Sequence, residues 1–366
     1  DLEKTELVPF RAAIKDGVAS VMIAHIALPQ IDGEVVTPLK NYRGGDAEVG
    51  AEIVDQKAYI PATLSKKVQT DLLRNDMGFK GLIVTDAMSM SGLTLYFEQG
   101  EAGVRAFLAG SDLLEKPSDP DAMIAGILAA VKSGRISQER LDESVRRILA
   151  WKSAVGLFDN RMTNIDAMDK IISGPESLAL SDEVATKAIT LVRNDANALP
   201  LDRSKKIVVL GLSNGFDGPD TMASFVSGLR SNGLRFSPYY LQENSLAEET
   251  AAARAAAANA DIIVVGLYGR VRSGAKNSVG VPENGAAIIR ELLAGGKQVV
   301  GISFGNPYVL GSFPEMKTYV VAYGDMSSLQ RAAARSVLGL QPITGRLPIS
   351  LPGLYPRGTG IQVSAR

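Results

Sequence analysis

Apolar and polar positions follow two different periods along this chain, and the changes of period mark its elements. Leu82, Ile83 and Val84 form a short apolar run that follows Gly81 and ends at Thr85-Asp86. This is the pattern of a parallel strand buried on both faces, which presents functional side chains at its C-terminal end. Val18 to Leu28 predicts a second strand, with His25 near its C-terminal end and Pro29 closing it, and Gly110 to Glu115 predicts a third. Helical spacing fills the intervals. Asp1 to Ile14 reads as an amphipathic helix with Leu2, Leu7, Phe10 and Ile14 on one side, and Ser65 suits the cap of a helix over Lys66 to Asn75. The segment from Met90 to Phe107 reads as helical, as does Asp121 to Ser133 after Pro117-Ser118-Asp119-Pro120. Ser137 caps a last helix in which Leu141, Val145, Ile148 and Leu149 recur at helical spacing. Gln30 to about Ala58 reads as a loop, with Asp32-Gly33 and Gly44-Gly45 as turn signals.

The periodicity lapses from about Asn160 to Leu180, around Ser173-Gly174-Pro175, and then restarts. Residues 161–186 are therefore expected to link a first domain, 1–160, to a second, 187–366. In the second, five short apolar runs (Ile207 to Leu212, Phe236 to Leu241, Ile262 to Leu267, Val299 to Phe304, Tyr319 to Tyr323) alternate with helical stretches near 220–232, 245–259, 283–294 and 326–338. Strands alternating with helices imply a mostly parallel, doubly wound sheet, an α/β sandwich.

Composition narrows the chemistry. The chain has 366 residues, with 39 basic and 40 acidic side chains, ample for two cores and without the charge imbalance that nucleic-acid binding calls for. It has no cysteine and one histidine, which removes disulfides, thiol nucleophiles and thiolate metal sites and makes a histidine metal site improbable. No metal or cofactor is expected. Apolar runs such as Ile262 to Leu267 are far shorter than the roughly 20 residues of a membrane-spanning helix, and the amino terminus lacks the basic-then-apolar order of a signal peptide.

Taken by pattern alone, Asp86 is either a functional carboxylate at a strand end or the cap of a following helix. His25 is either a core group that has found its hydrogen bonds or one that touches a ligand or orients a neighbour. Gly211-Leu212-Ser213-Asn214-Gly215 has the spacing of a nucleophile elbow, but that arrangement needs a histidine later in the chain, and the single histidine comes earlier. A tight turn is the better reading there. Arg270, Arg272 and Lys276 form a basic cluster after the Leu267 strand, either solvated or a lid over a ligand crevice.

Leu73-Arg74 followed by the run GFKGLIVTDAMSM (Gly78 to Met90) resembles the nucleophile segment of glycoside hydrolase family 3. Further stretches match that family in order: GVASVMIAHIALP (Gly17 to Pro29), Pro61-Ala62-Thr63-Leu64-Ser65, Ala109 to Leu114, Ile189 to Asn194 with Leu199-Pro200-Leu201, Gly305-Asn306-Pro307-Tyr308 and Gly345-Arg346-Leu347-Pro348. The resemblance implies the C-terminal part of a (β/α)8 barrel followed by the α/β sandwich. It implies a retaining glycosidase with Asp86 as nucleophile and His25 and Met88 at the sugar; the lid reading of Arg270 and Arg272 rests on their place after a strand end.

Family members that take their acid/base from the second domain carry a Gly-Glu after an apolar strand. Here the matching stretch reads Val264-Val265-Gly266-Leu267-Tyr268-Gly269-Arg270. Its resemblance is thus to the β-N-acetylglucosaminidase branch, whose His-Asp acid/base pair lies on a loop that would precede Asp1. The expected substrate is a β-N-acetylglucosaminide such as a chitin or peptidoglycan fragment. The rivals are a β-glucosidase or β-xylosidase of the same family and a non-catalytic glycan-binding subunit or fragment. Only three strand-helix units are visible where a closed barrel needs eight, so the three strands are expected to pair with a barrel segment upstream of this chain.

Overall fold

The computed structural model describes residues 2–39, 58–269 and 279–366. The chain forms two compact units, the first running to Thr163 and the second beginning at Asn164.

In the first unit, helix α1 (Leu7–Lys15) leads into β1 (Ser20–Ile23), and β2 (Val35–Val36) pairs antiparallel with β3 (Ala58–Tyr59). A π-helix spans Lys67–Asp76, and the Ser65 hydroxyl accepts from the Val68 amide at 3.3 Å, as a capping serine should. Next comes β4 (Leu82–Thr85), parallel to β1 with Ser20 opposite Leu82 and Ile23 opposite Thr85. Helices α2 (Ser91–Thr94), α3 (Gln99–Ala109), α4 (Pro120–Lys132) and α5 (Gln138–Ala154) complete the unit.

Two of the expected strands are shorter than their apolar runs. The run from Val18 to Leu28 keeps ladder geometry only to Ile23, after which His25 turns its ring into a side-chain network. The run from Gly110 to Glu115 touches β4 through one parallel bridge, Val84 to Leu113. The cause is chemical. The Ile83 amide donates to the Asp112 carboxylate at 3.0 Å, and the Glu115 amide donates to the Thr85 hydroxyl at 2.9 Å, so side chains take the places of ladder carbonyls.

Side-chain direction follows the strand period. Ile83 and Thr85 are buried, Ile83 in an apolar cluster with Leu73, Phe79 and Val68, while Leu82, Val84 and then Asp86 lie on the half-buried face. Helices α3 and α4 approach closely where Gly100 meets Gly126, and a Cβ built on Gly126 would lie 2.7 Å from the Gly100 Cα. Only glycine fits there.

The second unit holds a six-stranded sheet in the order β5-β10-β9-β8-β6-β7, with β5 (Thr190–Asn194), β6 (Ile207–Ser213), β7 (Phe236–Gln242), β8 (Ile262–Tyr268), β9 (Gln298–Ser303) and β10 (Thr318–Val321). All neighbours run parallel except β5 against β10. Every residue of β6 and β8 is buried, because cores lie on both faces: Val209, Val264 and Val320 in one, Leu210, Val265 and Leu267 in the other. Such strands read as continuous apolar runs, which is why they were legible.

The segment from Asn164 contains α6 (Met168–Ile171) and α7 (Pro175–Ala188), followed by α8 (Ala223–Ser231), α9 (Ala247–Ala258), α10 (Glu283–Ala294) and α11 (Ser327–Val337). Residues 161–186, expected as a linker, thus include most of α7. That helix is joined to α11 by an ion pair between Arg331 and Asp182 at 2.8 Å. Its periodicity is weak because Leu178, Leu180 and Val184 are exposed and only Ala185 is buried.

Candidate active site

Asp86 follows the last residue of β4, and five contacts fix the turn that carries it. The Asp86 amide donates to the Ile23 carbonyl at 3.0 Å, extending the ladder by one bond, and its Oδ1 accepts from the Ala87 amide at 2.7 Å. The Met88 amide donates to the Glu115 carbonyl at 2.8 Å and the Ser89 amide to the Lys116 carbonyl at 3.1 Å. Lys116 has φ 43°, a left-handed conformation at the end of the third strand segment. The Met88 carbonyl accepts from Gln99 Nε2 at 3.1 Å. Asp86 does not cap a helix: α2 begins after Met90 and has no side-chain cap.

His25 is a sixth support. Its Nε2 lies 2.9 Å from the Ala87 carbonyl and its Nδ1 2.8 Å from the Thr63 hydroxyl. A carbonyl can only accept, so Nε2 carries the proton and donates. Thr63 belongs to the Pro61 to Ser65 segment, is fully buried, and its hydroxyl also lies 3.0 Å from the Ala24 carbonyl. Gln69 extends the chain of contacts: its Nε2 donates to the Thr63 carbonyl at 2.5 Å and its Oε1 accepts from Ser111 Oγ at 2.8 Å. A continuous run of hydrogen bonds therefore connects Ser111, Gln69, Thr63 and His25 to the peptide after Asp86. Such a shell holds a reactive group in one geometry.

Beneath this turn lies a buried charge cluster. The Asp112 carboxylate is fully buried and accepts four hydrogen bonds: from Arg74 Nη2 at 2.5 Å and the Ile83 amide at 3.0 Å on one oxygen, and from Ser144 Oγ at 2.5 Å and Arg147 Nη1 at 3.0 Å on the other. It ties β4, the third strand segment and α5 together.

The structure thus brings Asp86 and His25 to one turn. It places Met88 differently from expectation. Met88 is 0% exposed and packs among Leu64, Leu93 and Ala106, so it offers no surface to a sugar; the exposed methionine of this turn is Met90, at 38%. Arg270, Arg272 and Lys276 lie outside the described residues. In the stretch Gly211 to Gly215, Ser213 is fully buried and its Oγ accepts from the Gly215 amide at 3.0 Å, the work of a turn-forming serine. No cluster of three or more His, Asp or Glu able to hold a metal ion occurs among the described residues, and among them no helix is long and apolar enough to cross a membrane.

Sequence reasoning missed Thr63, Gln69, Gln99 and Glu115. Three of these are buried polar residues that give no periodic signal. Glu115 had one: it lies two residues after Leu113, which the Val84 bridge puts on the same face as Asp86.

Comparison with known proteins places the chain in a family. Residues 1–151 match the glycosyl hydrolase family 3 N-terminal domain and residues 189–356 its C-terminal domain. A β-N-acetylglucosaminidase/β-glucosidase of Cellulomonas fimi is 30% identical over 363 residues, covering 93% of this chain and 59% of that protein. β-Hexosaminidase A of Pseudoalteromonas piscicida is 26% identical over 391 residues, covering 96% and 61%. A solved family 3 β-N-acetylglucosaminidase from Paenibacillus sp. str. FPU-7 superposes with a TM-score of 0.74 at 29% identity, over 96% of this chain and 62% of that one. The chain therefore spans less than two thirds of the length of these relatives. With both of its units matched in order and a relative at 30% identity along nearly its whole length, the chain belongs to glycosyl hydrolase family 3.

Proposed function

We propose that the protein is a retaining exo-glycoside hydrolase that removes terminal β-linked N-acetylglucosamine through a covalent glycosyl ester on Asp86. The observation that carries this reading is the placement of Asp86: a carboxylate just past the C-terminal end of a parallel strand, its backbone tied to β1 and its turn held by His25 and Gln99. In the first step the Asp86 carboxylate attacks the anomeric carbon as the bond to the leaving oxygen breaks and that oxygen takes a proton from a general acid. In the second, water gives a proton to the same group, attacks the anomeric carbon and frees Asp86. His25 acts on neither atom; it holds the Ala87 peptide and so the direction of the carboxylate. In this reading the three parallel strands belong to a (β/α)8 barrel, with the sandwich domain after it.

The sugar is chosen on the resemblance to the acetylglucosaminidase branch and on relatives named for that activity. A β-glucosidase reading is kept because other relatives, such as that of Dictyostelium discoideum, carry that name. Paired aryl glycosides that differ only in a 2-acetamido or 2-hydroxyl group separate the two, since a site built to hydrogen-bond the amide discriminates strongly against a sugar without it. The proposal expects kcat/KM to favour the acetamido sugar by tenfold or more; a preference for glucose would replace it with the β-glucosidase reading.

A further inference from the structure

At the opposite end of β4 from Asp86, about 13 Å away at the usual strand rise, a cavity of about 450 Å³ opens between the π-helix and α5. Its lining carries Lys66, Arg74, Lys80, Arg140 and Arg147, with Glu143 the one acidic residue. Asp112 lies beneath, and both its oxygens are already occupied, by Arg74 and the Ile83 amide on one side and by Arg147 and Ser144 on the other. Five cations therefore face two carboxylates.

The remaining contacts do not neutralise the excess. Arg140 donates to the Phe107 and Ser111 carbonyls at 2.9 and 2.8 Å and to the Ser144 hydroxyl at 2.6 Å, all neutral acceptors. Arg147 meets Glu143 only at 3.5 Å. Lys66 and Lys80 have no acidic partner among the described residues, and both are exposed at the rim. Burial pushes Arg74 and Arg140 below the ordinary arginine range, and the neighbouring charge of Arg147 adds to the effect in both. A half-enclosed cavity whose positive charge exceeds its own negative charge is completed by an anion.

We propose that this cavity is a binding site for a small, doubly charged oxyanion: inorganic phosphate or the phosphate group of a phosphomonoester. The chemistry selects this class. Planar guanidinium forks match tetrahedral and carboxylate oxygens, and ammonium groups at the rim act as point charges that favour two negative charges over one. The cavity is too polar for an apolar ligand, and it lies within the first unit at the end of β4 away from the Asp86 turn. The proposal therefore stands or falls separately from the glycosidase reading.

The test is calorimetric titration and thermal melting of the protein with inorganic phosphate, with glycerol 3-phosphate, with sulfate and with acetate, each against sodium chloride at matched ionic strength. Saturable binding of phosphate, with acetate at least tenfold weaker, is expected. Equal or better binding of glycerol 3-phosphate marks a phosphomonoester site, and binding of sulfate and phosphate alone marks a site for the free ion. Lys66→Ala/Lys80→Ala changes only exposed rim side chains, so the variant folds, and it should weaken phosphate at least tenfold; Lys66→Glu/Lys80→Glu should abolish saturation. A response to phosphate no different from that to chloride overturns the proposal, as does an affinity left unchanged in the doubly substituted proteins.

Discussion

Asp112→Asn tests whether the buried charge cluster holds the strands beneath the Asp86 turn. The carboxylate supplies four acceptor positions to Arg74, Ile83, Ser144 and Arg147. An amide keeps one oxygen and presents N–H groups where the other stood. The Arg74 and Ile83 side offers only donors, so the amide oxygen has to turn there and its nitrogen toward Ser144 and Arg147. Arg147 then loses its buried partner. Three guanidiniums are left gathered around a neutral side chain. Because Asp112 is fully buried and Arg74 nearly so, solvent does little to screen the loss. Removing one partner of a buried ion pair costs about 3–5 kcal/mol, and in a unit of this size each kcal/mol moves the midpoint by about 2–4 °C. The expected fall in the melting midpoint of the first unit, followed by circular dichroism at pH 7, is therefore about 6–20 °C. Asp142→Asn, half-buried on the same helix and accepting from the exposed Gln138 side chain at 2.7 Å, is the control and should stay within about 0.5 kcal/mol of the parent. A midpoint for Asp112→Asn within about 2 °C of the parent refutes the reasoning.

Other substitutions probe the neighbouring claims. His25→Ala removes the donor to the Ala87 carbonyl, a part-buried bond worth about 1–3 kcal/mol when its partner is orphaned, so kcat/KM on an aryl glycoside should drop about 10- to 100-fold; near-parental kinetics would show that the ring positions nothing. Gly126→Val forces the close approach of α3 and α4 apart and should lower stability by about 1–3 kcal/mol in denaturant unfolding, with an unchanged midpoint as the contrary result. Hydrogen bonds from Arg135, then from Arg105, hold the Glu101 carboxyl at about 2, below its ordinary 4.5. A depressed carboxyl contributes stability above its unfolded value and loses it as pH falls, so the advantage of the parent over Glu101→Gln should be full above pH 5 and vanish as pH approaches 2; a difference that does not change with pH speaks against the pairing.

Much of the fold was legible because parallel sheets announce themselves. The runs Ile207 to Leu212 and Ile262 to Leu267 are apolar at every position since helices cover both faces, and they became β6 and β8. Leu82 to Val84 gave β4, although only Ile83 of the three is buried and the other two lie on a half-buried face, and Asp86 at its end was the residue to watch. Legibility failed where side chains took over from backbone. Nothing in the composition of Gly110 to Glu115 shows that Asp112 will capture the Ile83 amide and leave one bridge where a strand was expected. Met88 and Met90 stand two apart in one turn, and periodicity cannot tell which faces the core. Helix α7 hid because its apolar residues are mostly exposed. The supports of the site, Thr63, Gln69 and Gln99, are single buried polar residues that leave no mark in the periodicity.

The central claim is that Asp86 carries the sugar. The most direct measurement is mass spectrometry of peptides after incubation with an activated 5-fluoro N-acetylglucosaminide, whose fluorine slows release of the glycosyl ester and whose good leaving group departs with little acid assistance. The account predicts one adduct, on the peptide containing Asp86, formed by the parent and absent from Asp86→Asn, together with a loss of turnover by several orders of magnitude in that variant. An adduct on any other peptide, or near-parental turnover by Asp86→Asn, would contradict it.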